Sequence, residues 1–214
     1  GLWSSPGASI KDILGNISKI LTEYLEAGTT EGKKAALDKY GLGSLAGVIS
    51  TLDVTAIIDT LGKLGEDVIN CAVNALYNLF GGRVEKTRLA EQAILIDILT
   101  GVLTPGEAEK AVGENGQNGQ LFLSMNAIKA SAKLNGINFE GHGGVNLTSL
   151  QGDKLNIIAY VKVNGSDTGN HFVVITKITN EEVTYIDNDG KSQTILIEDF
   201  NKMFTGDVLL PEKT

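Results

Sequence analysis

The sequence predicts an α+β fold in which helices come first and an antiparallel sheet follows. Through much of the first 134 residues, apolar side chains recur every three or four positions, which is the period of an amphipathic helix. After Asn135-Gly136 the pattern changes to short apolar runs separated by turn residues, which is typical of strands. Helices followed by a series of strands are the order expected of an α+β protein.

The N-terminal 64 residues are predicted to form a helical segment. The first helix has a stripe of apolar side chains at helical spacing: Ile10, Ile13, Leu14, Ile17, Ile20, Leu21, Tyr24 and Leu25. Ser9 is a suitable N-cap, and Gly28 stands where a C-cap glycine is expected. A second helix is expected after Gly28 and a third over about residues 44–64. We expect this segment, residues 1–64, to be an extension, a propeptide-like cover or a docking surface.

A short helix is predicted over Cys71–Phe80. Asn70 is a good N-cap residue in front of it, and Gly81-Gly82 is a good stop. Its buried face is predicted to consist of Val73, Leu76, Tyr77 and Phe80. This helix would therefore carry the single cysteine of the chain in its first turn.

Two more helices and four strands complete the predicted elements. The helices span about residues 85–112 and 121–134. The first of them has a stripe of apolar residues: Leu89, Ala93, Ile96, Leu99 and Leu103. The strands are predicted at residues 155–163, 171–178, 183–186 and 193–196. Asn188-Asp189-Gly190 is a turn of the type that joins antiparallel strands, and Asp189 is expected to serve that turn.

Composition excludes several classes of function. The formal net charge is −8 and only two arginines occur, which argues against nucleic acid as a partner because phosphate binding needs a basic face. One cysteine cannot form an intramolecular disulfide or a cysteine-based zinc site. Two histidines without an acidic pair at ligand spacing predict no metal, and no cofactor is expected. The chain has no apolar run of eighteen residues, so no membrane span is predicted.

The chain begins with glycine, which suggests a fragment of a longer protein, a processed form or a tag remnant. Localisation therefore stays open, with secretion or delivery to a target cell favoured.

Three residues in chain order point to a cysteine hydrolase. Cys71 is expected at a helix N-terminus, where the partial positive charge of the free backbone amides favours a thiolate. His171 opens an apolar strand and could take the thiol proton and later protonate a leaving amine. Asp187 closes the next strand and could accept a hydrogen bond from the imidazole. The three would form a Cys-His-Asp triad.

From about Gly65 to Leu210 the chain resembles the C39-like peptidases, a papain-like family that includes bacteriocin leader-processing domains. The resemblance rests on these segments: Asn70-Cys71-Ala72-Val73-Asn74-Ala75-Leu76, Gly119 to Gly136, Asn170-His171-Phe172-Val173-Val174, Val183-Thr184-Tyr185-Ile186-Asp187 and Phe200 to Gly206. It implies a papain-like peptidase domain over residues 65–214. It also implies hydrolysis of a peptide or isopeptide bond, with Cys71 as nucleophile, His171 as base and Asp187 as orienting acid.

The chain departs from the family pattern near the nucleophile. Asn70-Cys71-Ala72 stands where the family usually has Asp-Cys-Gly, and Gly65 stands where it usually has an oxyanion glutamine. The family proline after the aspartate is Asn188 here. Since the glutamine is missing, the side-chain amide of Asn70 or Asn74 is a candidate substitute as oxyanion donor.

Other interpretations stay open. Cys71 alone would read as a small core residue. A C39-like domain that has lost activity would act as a binding or regulatory module, and resolution of the thioester by an amine would make the chain an acyltransferase. A peptidase of this kind would act on peptides or proteins as a secreted effector, toxin or cell-wall peptide hydrolase, and a toxin would have an inhibitory or immunity protein as partner. His142 is expected to be a solvated loop residue.

Overall fold

The structure is a computed structural model, and it describes most of the chain. The described residues are 10–39, 42–43, 70–100, 124–163, 165, 167 and 171–212. The side chains of residues 10–14, 70 and 71 are not part of that description. The predicted third helix, over about residues 44–64, falls outside these ranges.

Helices dominate the first part of the described chain and strands the second. The α-helices are α1 (Ile10–Glu26), α2 (Thr30–Asp38), α3 (Asn70–Leu79), α4 (Lys86–Leu99), α5 (Met125–Leu134) and α6 (Ile197–Met203). The strands are β1 (Phe139–His142), β2 (Ile157–Val161), β3 (His171–Ile178), β4 (Glu182–Ile186), β5 (Ser192–Leu196) and β6 (Phe204–Pro211). A 3₁₀ turn spans Leu147–Leu150. The α+β class predicted from the sequence is confirmed.

The chain divides into two compact units. The first comprises Gly1–Ile69 with Glu85–Leu134, and the second comprises Asn70–Val84 with Asn135–Thr214. Helix α3, which carries Cys71, thus belongs to the same unit as the sheet. A boundary after residue 64, as expected from the resemblance, remains a prediction. No helix among the described residues is long and apolar enough to span a membrane.

In the first unit, α4 packs against α1 and α5, and α1 packs against α2. The sequence predicts one apolar stripe on α4, but every residue from Leu89 to Leu99 is buried. The polar residues among them have partners on neighbouring helices or loops. Asn16 Nδ2 donates to Glu91 Oε1 at 3.1 Å, and Asp97 accepts from the Ser124 hydroxyl at 2.6 Å and from its backbone N–H at 2.9 Å. Burial raises the pKa of both the Glu91 and Asp97 carboxyl groups.

The second unit is built on a six-stranded sheet in the order β1-β6-β2-β3-β4-β5, with all described pairings antiparallel. The four predicted strands are present. Strands β1 and β6 were not predicted, because β1 has four residues with one buried, and β6 is interrupted by Gly206 at φ +92°. The expectation of a loop histidine is wrong, because His142 ends β1 opposite Val208.

Alternate residues of the sheet form one apolar core with α6. Its buried members are Leu147, Ile157, Ala159, Val161, Val173, Ile175, Ile178, Val183, Tyr185, Ile197, Phe200 and Val208. Phe200 is fully buried, and its ring lies edge-on to Tyr185 with centroids 5.4 Å apart. The intervening residues Ile158, Phe172 and Val174 are buried as well, and α3 packs against β3. Burial on both sides holds the strands that carry the candidate residues in a fixed register.

The helix limits differ slightly from those predicted. Helix α3 begins at Asn70 itself, one residue before the predicted start, and α4 ends at Leu99, beyond which residues 101–123 lie outside the description. Helix α5 begins at Met125, because the Ser124 hydroxyl accepts from the backbone N–H of Ala127 at 3.0 Å and caps the first turn.

Candidate active site

Helix α3 places Cys71 at its second residue, in the first turn as predicted. One side of the helix is buried through Ala72, Val73, Ala75, Leu76 and Leu79. It stops where Gly81 and Gly82 take φ values of +60° and +79°, which are favourable to glycine. The side chains of Cys71 and of Asn70, one candidate oxyanion donor, lie outside the described part of the structure. Backbone N–H groups in the first turn of a helix have no partner within the helix, and Cys71 lies in such a turn.

The structure brings His171 and Asp187 together. His171 is the first residue of β3 and Asp187 follows the last residue of β4, so the antiparallel pairing puts both at one end of the sheet. His171 Nε2 lies 2.7 Å from Asp187 Oδ1, which is the length of a strong charge-assisted hydrogen bond. The His171 side chain is 15% exposed and that of Asp187 is 33% exposed. The pair is therefore partly shielded yet open to a substrate.

Asp187 is held by its own turn. The backbone N–H of Asn188 donates to Asp187 Oδ1 at 2.7 Å, and the N–H of Gly190 donates to the Asp187 carbonyl at 2.9 Å. Asp189 Oδ1 accepts from the N–H of Lys191 at 2.9 Å, as expected of a turn residue. Gly190 has a φ of +78°, which explains glycine at this position. The carboxylate therefore meets the imidazole from a fixed backbone.

The charge of this turn reaches Tyr185 on β4. Burial, followed by the negative charges of Asp187 and Asp189, raises the pKa of the Tyr185 phenol. The hydroxyl donates to Gln193 Oε1 at 3.2 Å. The Tyr185 hydroxyl thus stays protonated, and the residue has a structural role in the sheet.

Asn78 connects helix α3 to Asp187. Its Nδ2 donates to the backbone carbonyl of Asp187 at 3.0 Å, across 109 positions of sequence. The sequence reading did not single out this residue. The available signal was an asparagine seven positions after Cys71, because residues at i and i+7 share one face of a helix.

Asn74 lies on the same face, three positions after Cys71. It is buried, with 2% of its surface exposed. Among the described residues its Nδ2 has no hydrogen-bond partner, and the same holds for Oδ1 of Asn188. A buried amide without an acceptor costs about 1–3 kcal/mol. Asn74 is therefore a donor available to a bound group.

His142 stands apart from this arrangement. It is exposed on the edge strand β1, with Nε2 at 3.6 Å from Oε2 of Glu140. Both side chains are well exposed, so this pair contributes little to stability.

Comparison with protein-family models gives a match to the C-terminal part of the chain. The sequence model of the Peptidase C39 family matches residues 115–214, a segment that contains His171 and Asp187 and begins after Cys71. A search of curated proteins finds no match.

Three solved structures are similar to parts of the chain. The N-terminal peptidase C39 like domain of a toxin secretion ATP-binding protein from Vibrio parahaemolyticus is 14% identical with a TM-score of 0.42, covering 68% of this chain and 98% of that one. A double glycine motif protease from an AMS/PCAT transporter, in complex with the leader peptide, is 19% identical with a TM-score of 0.36, covering 59% and 84%. The peptidase domain of Streptococcus mutans ComA is 18% identical with a TM-score of 0.36, covering 42% and 75%.

The family match supports a cysteine peptidase as the class of function. The resemblance to the C39 peptidases inferred from the motifs is thereby confirmed, since residues 115–214 match the Peptidase C39 family model.

Proposed function

We propose that this protein is a cysteine peptidase that hydrolyses a peptide or isopeptide bond through a thioester on Cys71. In this proposal His171 is the general base and then the general acid, and Asp187 orients the imidazole. The observation that carries the proposal is the 2.7 Å contact between His171 Nε2 and Asp187 Oδ1.

The contact fixes the role of each ring nitrogen. An ionised carboxylate only accepts hydrogen bonds, so Nε2 of His171 must carry a proton to meet Asp187. In the neutral imidazole Nδ1 then has the free lone pair. Nδ1 is therefore the nitrogen that would accept the proton of the Cys71 thiol.

The position of Cys71 in the same compact unit as His171 and Asp187 supports its role in the proposed triad. Helix α3 and the strands that carry His171 and Asp187 belong to the same unit, and α3 packs against β3. Cys71 lies on the same helix face as Asn78, whose side-chain amide donates to the Asp187 carbonyl at 3.0 Å. A cysteine in the first turn also benefits from the helix dipole, which favours a thiolate.

The proposed reaction proceeds in two halves. His171 Nδ1 takes the thiol proton, and the Cys71 sulfur adds to the substrate carbonyl to give a tetrahedral oxyanion. Its collapse breaks the C–N bond, and the Nδ1 proton passes to the leaving amine, which leaves a thioester. Nδ1 then removes a proton from water, whose oxygen attacks the thioester. Expulsion of the Cys71 thiolate releases the carboxylic acid product, and return of the Nδ1 proton to the sulfur restores the thiol.

The oxyanion needs hydrogen-bond donors. The family glutamine is replaced by Gly65 here, so other groups must supply them. Backbone N–H groups at the start of α3 supply part of the hole in this proposal. We assign the remaining donor to Asn74, because its buried Nδ2 has no acceptor among the described residues. Asn74 follows Cys71 by three positions on the same face of the helix, so the two residues are neighbours on its surface. Asn70 is the alternative donor.

Peptides or proteins are the proposed substrates. The similar transporter protease bears the name of a double glycine motif and was solved with a leader peptide, so a peptide containing Gly-Gly is the first substrate to test. Action as a secreted effector, toxin or cell-wall peptide hydrolase, restrained by an immunity protein in the case of a toxin, is the proposed biological setting. Residues 1–64 would cover the site or dock a substrate.

Labelling of the single cysteine tests the proposed function. Intact mass would follow iodoacetamide labelling from pH 5 to 9 in the native protein and in His171→Ala. We expect fast native labelling with a pH midpoint well below that of an ordinary thiol, about 8.5. In His171→Ala labelling should slow and the midpoint should rise, and Cys71→Ser should not be labelled.

Native labelling like that of an ordinary thiol, unchanged in His171→Ala, would contradict the triad. We would then interpret the protein as a binding or regulatory domain instead of a peptidase. If the triad holds, incubation with a Gly-Gly peptide and an added amine separates hydrolysis from acyl transfer, because the two products differ in mass.

A further inference from the structure

We propose that Asn78 is a positioning residue, whose side-chain amide ties helix α3 to the carbonyl of Asp187 and so sets the Cys71 face of the helix against the His171–Asp187 pair. This inference rests on the proposed function, since it concerns how the proposed triad is held together.

The geometry of α3 connects Asn78 to the nucleophile. Cys71, Asn74 and Asn78 stand at positions i, i+3 and i+7, so their Cα atoms lie on one face of the helix. Seven residues of α-helix extend about 10 Å. A contact made by Asn78 therefore fixes the rotation of the helix about its axis at the position of Cys71 as well.

Asp187, at the other end of the contact, is held by hydrogen bonds within the β4–β5 turn. Asn78 Nδ2 donates to the carbonyl of Asp187 at 3.0 Å, while the Asp187 carboxylate meets His171 Nε2 at 2.7 Å. A Cβ built on Gly190 would lie 3.8 Å from Asn78 Oδ1, so the amide rests directly against the turn. The hydrogen bond thus links the helix to the backbone of the acid that orients the base.

The bond is better suited to positioning than to stability. The Asp187 carbonyl also accepts from the N–H of Gly190 at 2.9 Å, so it keeps a partner when Asn78 is removed. The Asp187 carbonyl is then not left without a donor. The free energy of unfolding therefore falls only by the contribution of an ordinary half-buried hydrogen bond. Misplacement of reacting groups, by contrast, strongly lowers a rate.

The matched control is Thr205, in the same unit. Its hydroxyl donates to the Tyr160 carbonyl at 2.8 Å, which is also a half-buried bond from a side chain to the backbone of a distant residue. Thr205→Val removes this bond with little change of shape, together with the bond that the hydroxyl accepts from the N–H of Asp207 at 3.2 Å. It lies outside the proposed catalytic machinery.

The experiment compares Asn78→Leu, Thr205→Val, His171→Ala and native protein by the pH profile of iodoacetamide labelling. Leucine keeps the approximate shape of asparagine without its donor, and Asn78→Ala serves if leucine prevents folding. We expect Asn78→Leu to label at least about tenfold more slowly at pH 6, with its midpoint moved toward that of His171→Ala. Thr205→Val should stay within about twofold of native because its hydrogen bonds involve neither His171 nor Asp187. Thr205→Val, which loses two hydrogen bonds, should unfold at the same or a lower urea concentration than Asn78→Leu.

The outcomes separate the two proposals. If His171→Ala shifts the profile and neither Asn78 variant does, the positioning role is overturned and the triad stands. If Asn78→Leu and Thr205→Val slow labelling equally, the effect is general loosening and the role is also overturned. If His171→Ala labels like the native protein, the proposed function fails and the role of Asn78 fails with it.

Discussion

The backbone N–H of Asn188 and the carboxylate of Asp187 form a 2.7 Å hydrogen bond at Oδ1, the same oxygen that faces His171. A single carboxylate oxygen thus accepts from the imidazole and from the turn that follows the acid. The family resemblance implies proline at position 188, and proline has no N–H to give. This chain therefore supports its acid with a donor that such relatives lack.

Replacement of Asn188 by proline should weaken that support. Residue 188 follows the carbonyl that closes the turn to Gly190, and proline is favoured at that position of a type I turn, so the backbone should tolerate it. Loss of a bond worth about 1 kcal/mol predicts labelling of Cys71 about fivefold slower at pH 7. Stopped-flow or quenched mass measurement of iodoacetamide labelling would detect this change.

Asn188→Ala is the matched control. It keeps the backbone N–H and removes a side chain whose Oδ1 has no partner among the described residues. We expect labelling close to that of the native protein. Equal rates in the proline and alanine variants would show that the N–H of residue 188 does not support the acid.

The elements that were predicted from the sequence are those with a local signal. Strands β2 and β3 are apolar runs, β4 and β5 flank the Asn188-Asp189-Gly190 turn, and α3 ends at a double glycine, so neighbouring residues suffice to identify them. His171 and Asp187 could be expected together because they occupy the start and the end of consecutive antiparallel strands. The remaining features depend on contacts with residues that are distant in sequence.

Strand β1 and the polar residues of α4 illustrate the difference. Strand β1 is short and mostly exposed, and its identity depends on pairing with β6, where His142 lies opposite Val208. Glu91 and Asp97 lie outside the apolar stripe that the sequence predicts for α4, yet both are buried. Their burial depends on Asn16 and Ser124, 75 and 27 positions away, which no periodicity reveals. The donor role of Asn78 depends on a contact over 109 positions in the same way.

The buried carboxyl of Glu91 predicts a pH-dependent stability. Burial raises its pKa above the ordinary value of 4.5, against smaller opposing effects of the Asn16 hydrogen bond and the Arg88 charge. The folded state therefore favours the neutral form, and ionisation lowers the free energy of unfolding as pH rises from about 4.5 through the raised pKa. Glu91→Gln, which can keep the acceptor for Asn16, should be more stable than the native protein at pH 7.

Urea unfolding at several pH values between 4 and 8 would check this expectation. The stability gain of Glu91→Gln over the native protein should shrink as pH falls through the raised pKa toward 4, where Glu91 is mostly protonated in both states. Asp97, whose pKa is also raised, is present in both proteins, so its contribution cancels in the difference. A gain that is independent of pH, or that grows in acid, would contradict the assignment to Glu91.

Asn74 should affect amide hydrolysis and leave alkylation unchanged. An oxyanion forms when the Cys71 sulfur adds to a carbonyl, and removal of one donor typically lowers kcat by about 10²–10³. Iodoacetamide reacts by displacement at a saturated carbon and forms no oxyanion. Asn74→Leu should therefore label at the native rate across pH 5 to 9 while its turnover of the Gly-Gly peptide falls.

Because the Asn74 amide is buried without a described acceptor, the Asn74→Leu variant should also unfold at the same or a higher urea concentration than the native protein. Parallel losses of labelling and turnover would place Asn74 in the structural support of helix α3, and Asn70→Ala would then be the variant to test for the oxyanion donor.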